Sequence, residues 1–264
     1  MKIKLQIISD IHLEFRDNVK GYKFLKPKAP ILILCGDICP LGTSADFKRY
    51  EQFINFFYNK FIYIIHVPGN HEYYIKSAKE KISMKQIDKK MKDYSKSHPK
   101  LHYLNNSIFE LKIKNKLFYF VGTTMWTKVA KNQLEYIQES MNDYEYIWVD
   151  DHKFTGLDMV NTHRKAARFL TNSIELAKKN KAAVIIITHH KPYNSVEIND
   201  YSKAYEVDML KLMYNPVKLW CYGHTHVHDD IKINETRVVS NGLGYPYQRD
   251  VGYIPGMCVE VTSN

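Results

Sequence analysis

ILILCGD, residues 31–37, sets five consecutive apolar residues against a glycine and an aspartate. A run apolar on both faces reads as a buried strand, and its abrupt polar end marks the exit into a loop. Upstream, Ile3, Leu5 and Ile7 alternate with Lys4 and Gln6, the period of a half-buried first strand, and that segment runs into Asp10 and His12. Downstream, Phe47, Tyr50, Phe53, Ile54 and Phe57 recur at helical spacing between Ala45 and Tyr58. Phe61–Val67 then gives a third strand, which stops before Gly69, Asn70, His71 and Glu72. Strand, helix and strand in that order predict a βαβ unit with parallel pairing and a right-handed crossover.

The rest of the chain extends this pattern. Leu101–Leu104, Ser107–Ile113 and Leu117–Val121 predict antiparallel strands continuing the sheet, the last two joined by a turn near Lys114–Lys116. Residues 123–157, rich in Trp, Tyr, Asn and Asp with little periodicity, read as a long irregular binding loop or lid. A helix is expected over Asp158–Lys179, a buried strand over Ala182–Thr188, a short helix over Ala204–Tyr214 and a strand over Val217–Cys221. Ile231–Ser240 and Met257–Val261 complete a strand-rich end. With no Pro/Gly/Ser linker, residues 1–264 read as one α/β domain, mixed sheets packed together and helices outside.

Composition narrows the class. At 45% hydrophobic and 25% charged residues, without repeats or biased tracts, the chain is neither disordered nor fibrous. Asp10 and His12 interrupt the first apolar run, which is too short and polar for a signal peptide. No stretch approaches the roughly 20 apolar residues of a membrane span, so no membrane partner is expected. Cys35, Cys39, Cys221 and Cys258 form no CxxC pair and no dense framework, which disfavours structural zinc and disulfide scaffolds and predicts a cytoplasmic setting. The formal net charge of +10 attracts phosphate-bearing ligands without specifying nucleic acid. Between Lys76 and Lys100, nine lysines face three acids, with Ile75, Ile82, Ile87, Met91 and Tyr94 interleaved, the pattern of an amphipathic helix with a solvated face.

Metal-type ligands cluster where predicted strands give way to loops, the crevice position of open α/β sheets. Asp10 and His12 form a DxH pair whose extended geometry would send both side chains one way. Asp37 follows a glycine, and its carboxylate could bridge two metals roughly 3.5–4 Å apart. Asn70 offers a neutral amide oxygen, leaving His71 to act on substrate. In Thr188–Pro192 either His189 or His190 could ligate, and His224 and His226 form a second i, i+2 pair. Each cluster alone has a bland reading as turn or core residues; five in series supply O and N donors for two ions. Such donors, without thiolates, suit Mn²⁺, Fe or Zn²⁺ better than copper.

Asp10/His12, Gly36/Asp37, Gly69–Glu72, His190 and Gly223–His226 resemble the motif series of calcineurin-like metallophosphoesterases over nearly the whole chain. GTTMWT at 122–127, MNDY at 141–144, and Ala204, Tyr205 and Asp208 are similar to a bacterial-type branch of that family. The resemblance implies a four-layer sandwich of two mixed β-sheets flanked by helices. It implies two divalent metal ions, Mn²⁺ first and Fe, Zn²⁺ or Mg²⁺ as alternatives. Asp10, His12 and His226 would hold one, Asn70, His190 and His224 the other, and Asp37 would bridge. His190 is selected over His189 because the family's fourth motif sets the ligand two residues before proline, here Pro192. Protein phosphatases carry a further acid after GD, whereas Asp37 is followed by Ile38, Cys39, Pro40 and Leu41; that activity is disfavoured and no residue is identified to orient His71.

The implied reaction is hydrolysis of a phosphate ester, a small phosphodiester or nucleotide, by a metal-bridging hydroxide, with His71 donating a proton to the leaving oxygen. Trp126, Lys191 and Tyr193, with Tyr144 and Asn194, lie in loops expected to contact this small-molecule substrate. Two other classes compete. A nuclease would use the Lys76–Lys100 segment as a basic track for nucleic acid. A non-catalytic scaffold would lack a ligand or His71, and all are present. Oligomeric state is not specified by any of these features.

Overall fold

The computed structural model describes residues 1–16, 20–76, 81–195 and 202–263. Strands β1 (Lys2–Ile8), β2 (Ile31–Leu34), β3 (Tyr63–His66) and β4 (Leu101–Tyr103) run parallel side by side. Helix α1 (Ser44–Phe57) connects β2 to β3 as the βαβ reading required, its first turn fixed by the Thr43 hydroxyl accepting from the Asp46 N–H. Helix α2 (Met84–Lys96) makes the next crossover and buries Ile87 and Met91. The lysine-rich helix is therefore shorter than expected, and residues 77–80 of that segment lie outside the described residues. On its outer face Lys89 and Lys96 both pair with Asp93.

β5 (Ser107–Ile113) and β6 (Lys116–Thr123) form the expected hairpin, but they open a second sheet. β4 pairs parallel with β3 instead of joining an antiparallel series; three residues are too few for periodicity to reveal direction. The stretch expected to be irregular contains α3 (Leu134–Ser140), α4 (Asp143–Tyr146) and a small hairpin of β7 (Trp148–Val149) and β8 (His152–Lys153). None exceeds two helical turns, so no periodic signal develops. Helix α5 (Gly156–Asn180) follows, started by a capping box between Thr155 and Asp158. Beyond β9 (Ala183–Thr188), the helix expected at 204–214 is only a turn, α6 (Ser202–Tyr205), with a 3-10 turn at Leu210–Leu212. A backbone bridge between Lys191 and Glu206 draws the chain into extended form there. β10 (Val217–Tyr222), β11 (Asp229–Ile233), β12 (Thr236–Ser240) and β13 (Cys258–Thr262) complete the sheets.

The first sheet has the order β13-β1-β2-β3-β4 and the second β11-β12-β10-β9-β6-β5, each mixed through antiparallel edge strands. Alternation along the strands builds three cores. Leu5, Ile33 and Ile65 face Phe120, Ile185 and Leu219 between the sheets. Leu32 and Leu34 point outward to Phe53, Phe57 and Met91 of the α1–α2 layer. Val184, Ile186 and Trp220 pack against Ala166, Leu170 and Ile174 of α5. The result is the four-layer α/β/β/α sandwich of two mixed sheets flanked by helices, and the carboxyl ends of β1, β2, β3, β9 and β10 open on one crevice.

Candidate metal centre

Asp10, His12, Asp37, His224 and His226 hold positive φ angles of 53°, 49°, 55°, 71° and 53°. Left-handed backbone is costly for such residues and concentrates at functional sites. The extended DxH geometry expected from sequence is thus replaced by turned backbone at both residues, yet Asp10 and His12 still reach the same cluster. Gly36, at φ 85°, allows a close approach: a Cβ there would lie 2.5 Å from His189 Nδ1 and 2.6 Å from the Gly69 nitrogen.

Two donor groups meet at Asp37. In the first, His12 Nε2 and His226 Nε2 stand 3.0 Å apart, and Asp10 Oδ1 lies 3.5 Å from His226 Nε2. In the second, His189 Nε2 lies 3.0 Å from Asn70 Oδ1 and 3.1 Å from His224 Nδ1. Asp37 offers Oδ2 at 3.7 Å to His12 Nε2 and Oδ1 at 3.4 Å to His189 Nε2, one oxygen to each side. The proline spacing points to His190, whereas the structure brings His189 to this cluster. His190 Nδ1 is directed to the Thr124 carbonyl at 3.1 Å, and its Nε2 is buried without a partner. Burial and the neighbouring His189 hold His190 down at about 3, keeping it neutral.

The donor chemistry fits cations. His12 Nδ1 faces the Glu14 carboxylate at 3.2 Å, His189 Nδ1 the Cys35 carbonyl at 2.8 Å, and His226 Nδ1 the Gln248 amide oxygen at 2.6 Å. An oxygen acceptor on Nδ1 places the ring hydrogen there and leaves Nε2 as a bare lone pair. Those lone pairs converge with carboxylate and amide oxygens, a set suited to a cation. Consistent with that field, burial pulls His189 down but Asp37 outweighs it, raising the group to about 9. Asp37 is itself opposed by burial, yet His189 and His71 hold it well below the usual carboxylate range.

Supporting residues went largely unread in the sequence. Asp143 Oδ1, fully buried, accepts from Asn70 Nδ2 at 2.8 Å and from the Tyr74 hydroxyl at 2.7 Å, which turns Asn70 Oδ1 toward His189. In the sequence it belongs to the MNDY segment at 141–144. Removing this anchor in Asp143→Ala should weaken metal binding by about 10–100-fold, read by calorimetric titration of the chelated protein. Glu72 ties two loops together: its carboxylate accepts from the backbone N–H groups of Asp37, Ile38 and Gly69 at 2.9, 2.7 and 2.7 Å. Glu14, two residues beyond His12, receives His71 Nδ1–H at 2.8 Å on the same oxygen that faces His12, and so orients His71. Burial would raise Glu14, but the two histidines bring it down to about 2. On the far side of His71, the Tyr245 hydroxyl lies 3.3 Å from Nε2.

A cavity of about 460 Å³ opens over the cluster, lined by Asp37, Asn70, His71, His224, His226 and Tyr245 among others. Trp126, Lys191 and Tyr193, expected to contact substrate, are not on its wall. Trp126 is buried against Phe154, Lys191 is held by Ser195 and Glu206, and the Tyr193 hydroxyl donates to Asp229. Each found a partner inside the fold, which residue type alone does not foretell. Tyr144 is likewise buried, stacked on Phe154.

Two mixed sheets between helices, with oxygen and nitrogen donors gathered at the strand ends, define an α/β/β/α sandwich with a candidate metal centre. The model for the calcineurin-like phosphoesterases matches residues 3–228. "Uncharacterized protein L509" of Acanthamoeba polyphaga mimivirus is 30% identical over 270 residues, 93% of this chain and 92% of that protein. The crystal structure of phosphopantetheinyl hydrolase (PptH) from Mycobacterium tuberculosis has the same fold, with a TM-score of 0.71 over 93% of this chain and 90% of its own at 15% identity. The chain belongs to the calcineurin-like phosphoesterase family, metal-dependent hydrolases of phosphate esters. Among the described residues no helix is long and apolar enough to cross a membrane.

Proposed function

We propose that this chain is a dinuclear metal-dependent phosphoesterase acting on a small phosphodiester or nucleotide. The observation that carries this reading is Asp37, whose two oxygens each face a separate donor group. Asp10, His12 and His226 would hold one divalent ion; Asn70, His189 and His224 would hold the other; Asp37 would serve both. When bound, such ions supply an activated water nucleophile and neutralise phosphate charge. The chain's own residues do the rest. Asp143 presents the Asn70 oxygen, Glu72 fixes the spacing of the Asp37 and Asn70 loops, and Glu14 aims His71 Nε2 into the cavity. His71, protonated on Nε2, would deliver a proton to the leaving oxygen.

A polymer substrate is less supported. The lysine-bearing groove beside α2 shares no lining residue with the cavity over the donor cluster. The test is turnover of mono-, di- and cyclic phosphate esters, including a phosphopantetheinyl ester, by chelated protein resupplied with Mn²⁺, Fe²⁺, Zn²⁺ or Mg²⁺. Activity should return only with metal; hydrolysis that persists through chelation would contradict the reading. In calorimetry, His189→Ala should lose one of two binding events and His190→Ala should keep both. The opposite result would restore the assignment made from the proline spacing.

A further inference from the structure

The wall of the cavity has a charge character that its phosphate chemistry alone does not require. The chain carries 38 lysines and arginines, yet among the described residues none lines this cavity. The nearby cations are each engaged by specific contacts, Lys191 with two residues of the wall itself. Lys191 Nζ is 2.7 Å from Ser195 Oγ and 3.5 Å from Glu206. The Arg16 guanidinium donates at 2.6 Å to the carbonyls of both Ile11 and Gly244 and lies over the Phe24 ring. Lys76 lies over Phe15 at 4.9 Å and Tyr146 at 5.4 Å. What faces the cavity apart from the histidines is acidic or neutral. Its acids are Asp37, assigned above to the metal ions, and Glu206, paired with Lys191; Ser140, Met141, Asn142 and Thr225 are among its neutral residues.

Such a wall discriminates between phosphate esters by charge. A monoester or terminal polyphosphate brings a second ionised oxygen, which asks for a cation beyond the metal pair, and among the described residues no lysine or arginine lines this wall to supply one. A diester replaces that oxygen by a neutral ester group, which asks only for room and neutral surface. We infer that the cavity selects phosphodiester monoanions over phosphomonoesters and terminal polyphosphates, its cation-poor wall being the specificity determinant. The inference rests on the phosphoesterase reading above and narrows it. Hydrolysis forms one bond from water oxygen to phosphorus, breaks the bond to the leaving oxygen, and returns a monoester that the same wall disfavours. The product is released and not cut again.

The experiment uses two esters with one leaving group, methyl 4-nitrophenyl phosphate and 4-nitrophenyl phosphate, with the Mn²⁺-loaded protein. The diester should be favoured in kcat/KM by about tenfold or more, the size of effect that a single unmet charge produces at ~1.4 kcal/mol per decade. Asn142 lines the cavity and is exposed, so Asn142→Lys adds a cation without disturbing the core. That variant should move the ratio toward the monoester by about tenfold, the shift shrinking as salt is raised. Glu206→Gln, which removes an acid and releases Lys191, should move it the same way. A wild-type preference for the monoester, or a ratio unmoved by both variants, overturns the inference and leaves the phosphoesterase reading standing. Hydrolysis of neither ester with any of the four metals removes both.

Discussion

Asp37→Asn should abolish measurable phosphoesterase turnover, a loss of roughly a thousandfold or more, equivalent to ~4 kcal/mol of transition-state stabilisation. The substitution keeps the shape of the side chain and can keep the bond in which Oδ1 accepts from the His71 N–H at 2.9 Å. It replaces the other oxygen by an NH₂ group aimed at donors meant for a cation. Both donor groups are affected, because Asp37 supplies an oxygen to each. Metal titration should show both binding events weakened, unlike any variant confined to one group. The fold should be kept at reduced stability. In the metal-free protein the change takes away the charge that His189 and His71 are paired with, and removing one partner of a buried pair costs up to about 3–5 kcal/mol. A native circular dichroism spectrum and a lowered but cooperative Tm, together with lost metal binding, would separate a broken centre from a broken fold. Retention of both binding events at wild-type affinity would exclude Asp37 as the shared ligand.

Much of this architecture was legible because it rests on patterns of the right length. Ile31–Leu34 and Ala183–Thr188 are buried on both faces and read as continuous apolar runs; α1 and α5 are long enough for helical period to show. Elements of two to seven residues between Leu134 and Lys153 were not legible, since pattern needs repetition. The polar residues that gather at the strand ends stand out by type and order, but whether His189 or His190 joins them does not. Adjacent residues leave a strand in opposite directions, and which one faces the crevice depends on the register of β9 against β6 and β10. The supporting shell was harder still. Tyr245 and Gln248 come from a loop of glycine, proline and tyrosine whose path depends on tertiary contacts, among them the Arg16 guanidinium on the Gly244 carbonyl. Glu14 had a usable signal: two residues past a metal-type histidine, an acid can take the Nδ1 hydrogen, as it does here.

The Glu14–His71 pair makes the second large effect, because it couples a proton donor to its own pKa. His71→Ala should lower kcat by about 10²–10⁴-fold for an alkyl leaving group, whose oxygen departs poorly without a proton. For 4-nitrophenolate, which leaves readily as an anion, the loss should be much smaller. Burial pushes His71 down, but Asp37 and Glu14 outweigh it, so the imidazole is held protonated to higher pH than an ordinary histidine. A general acid works below its pKa, so with alkyl esters the wild-type rate should fall on the alkaline side as His71 loses its proton. Glu14→Gln removes a charge and a hydrogen bond that favour the imidazolium. The alkaline limb should therefore move to lower pH, with kcat near its maximum less affected than the position of the limb. His71→Ala should lack that limb altogether. A limb that stays in place in Glu14→Gln would mean that Asp37 alone sets the proton affinity of His71, and a limb that survives in His71→Ala would assign the proton to another group, of which the Tyr245 hydroxyl at 3.3 Å is the nearest.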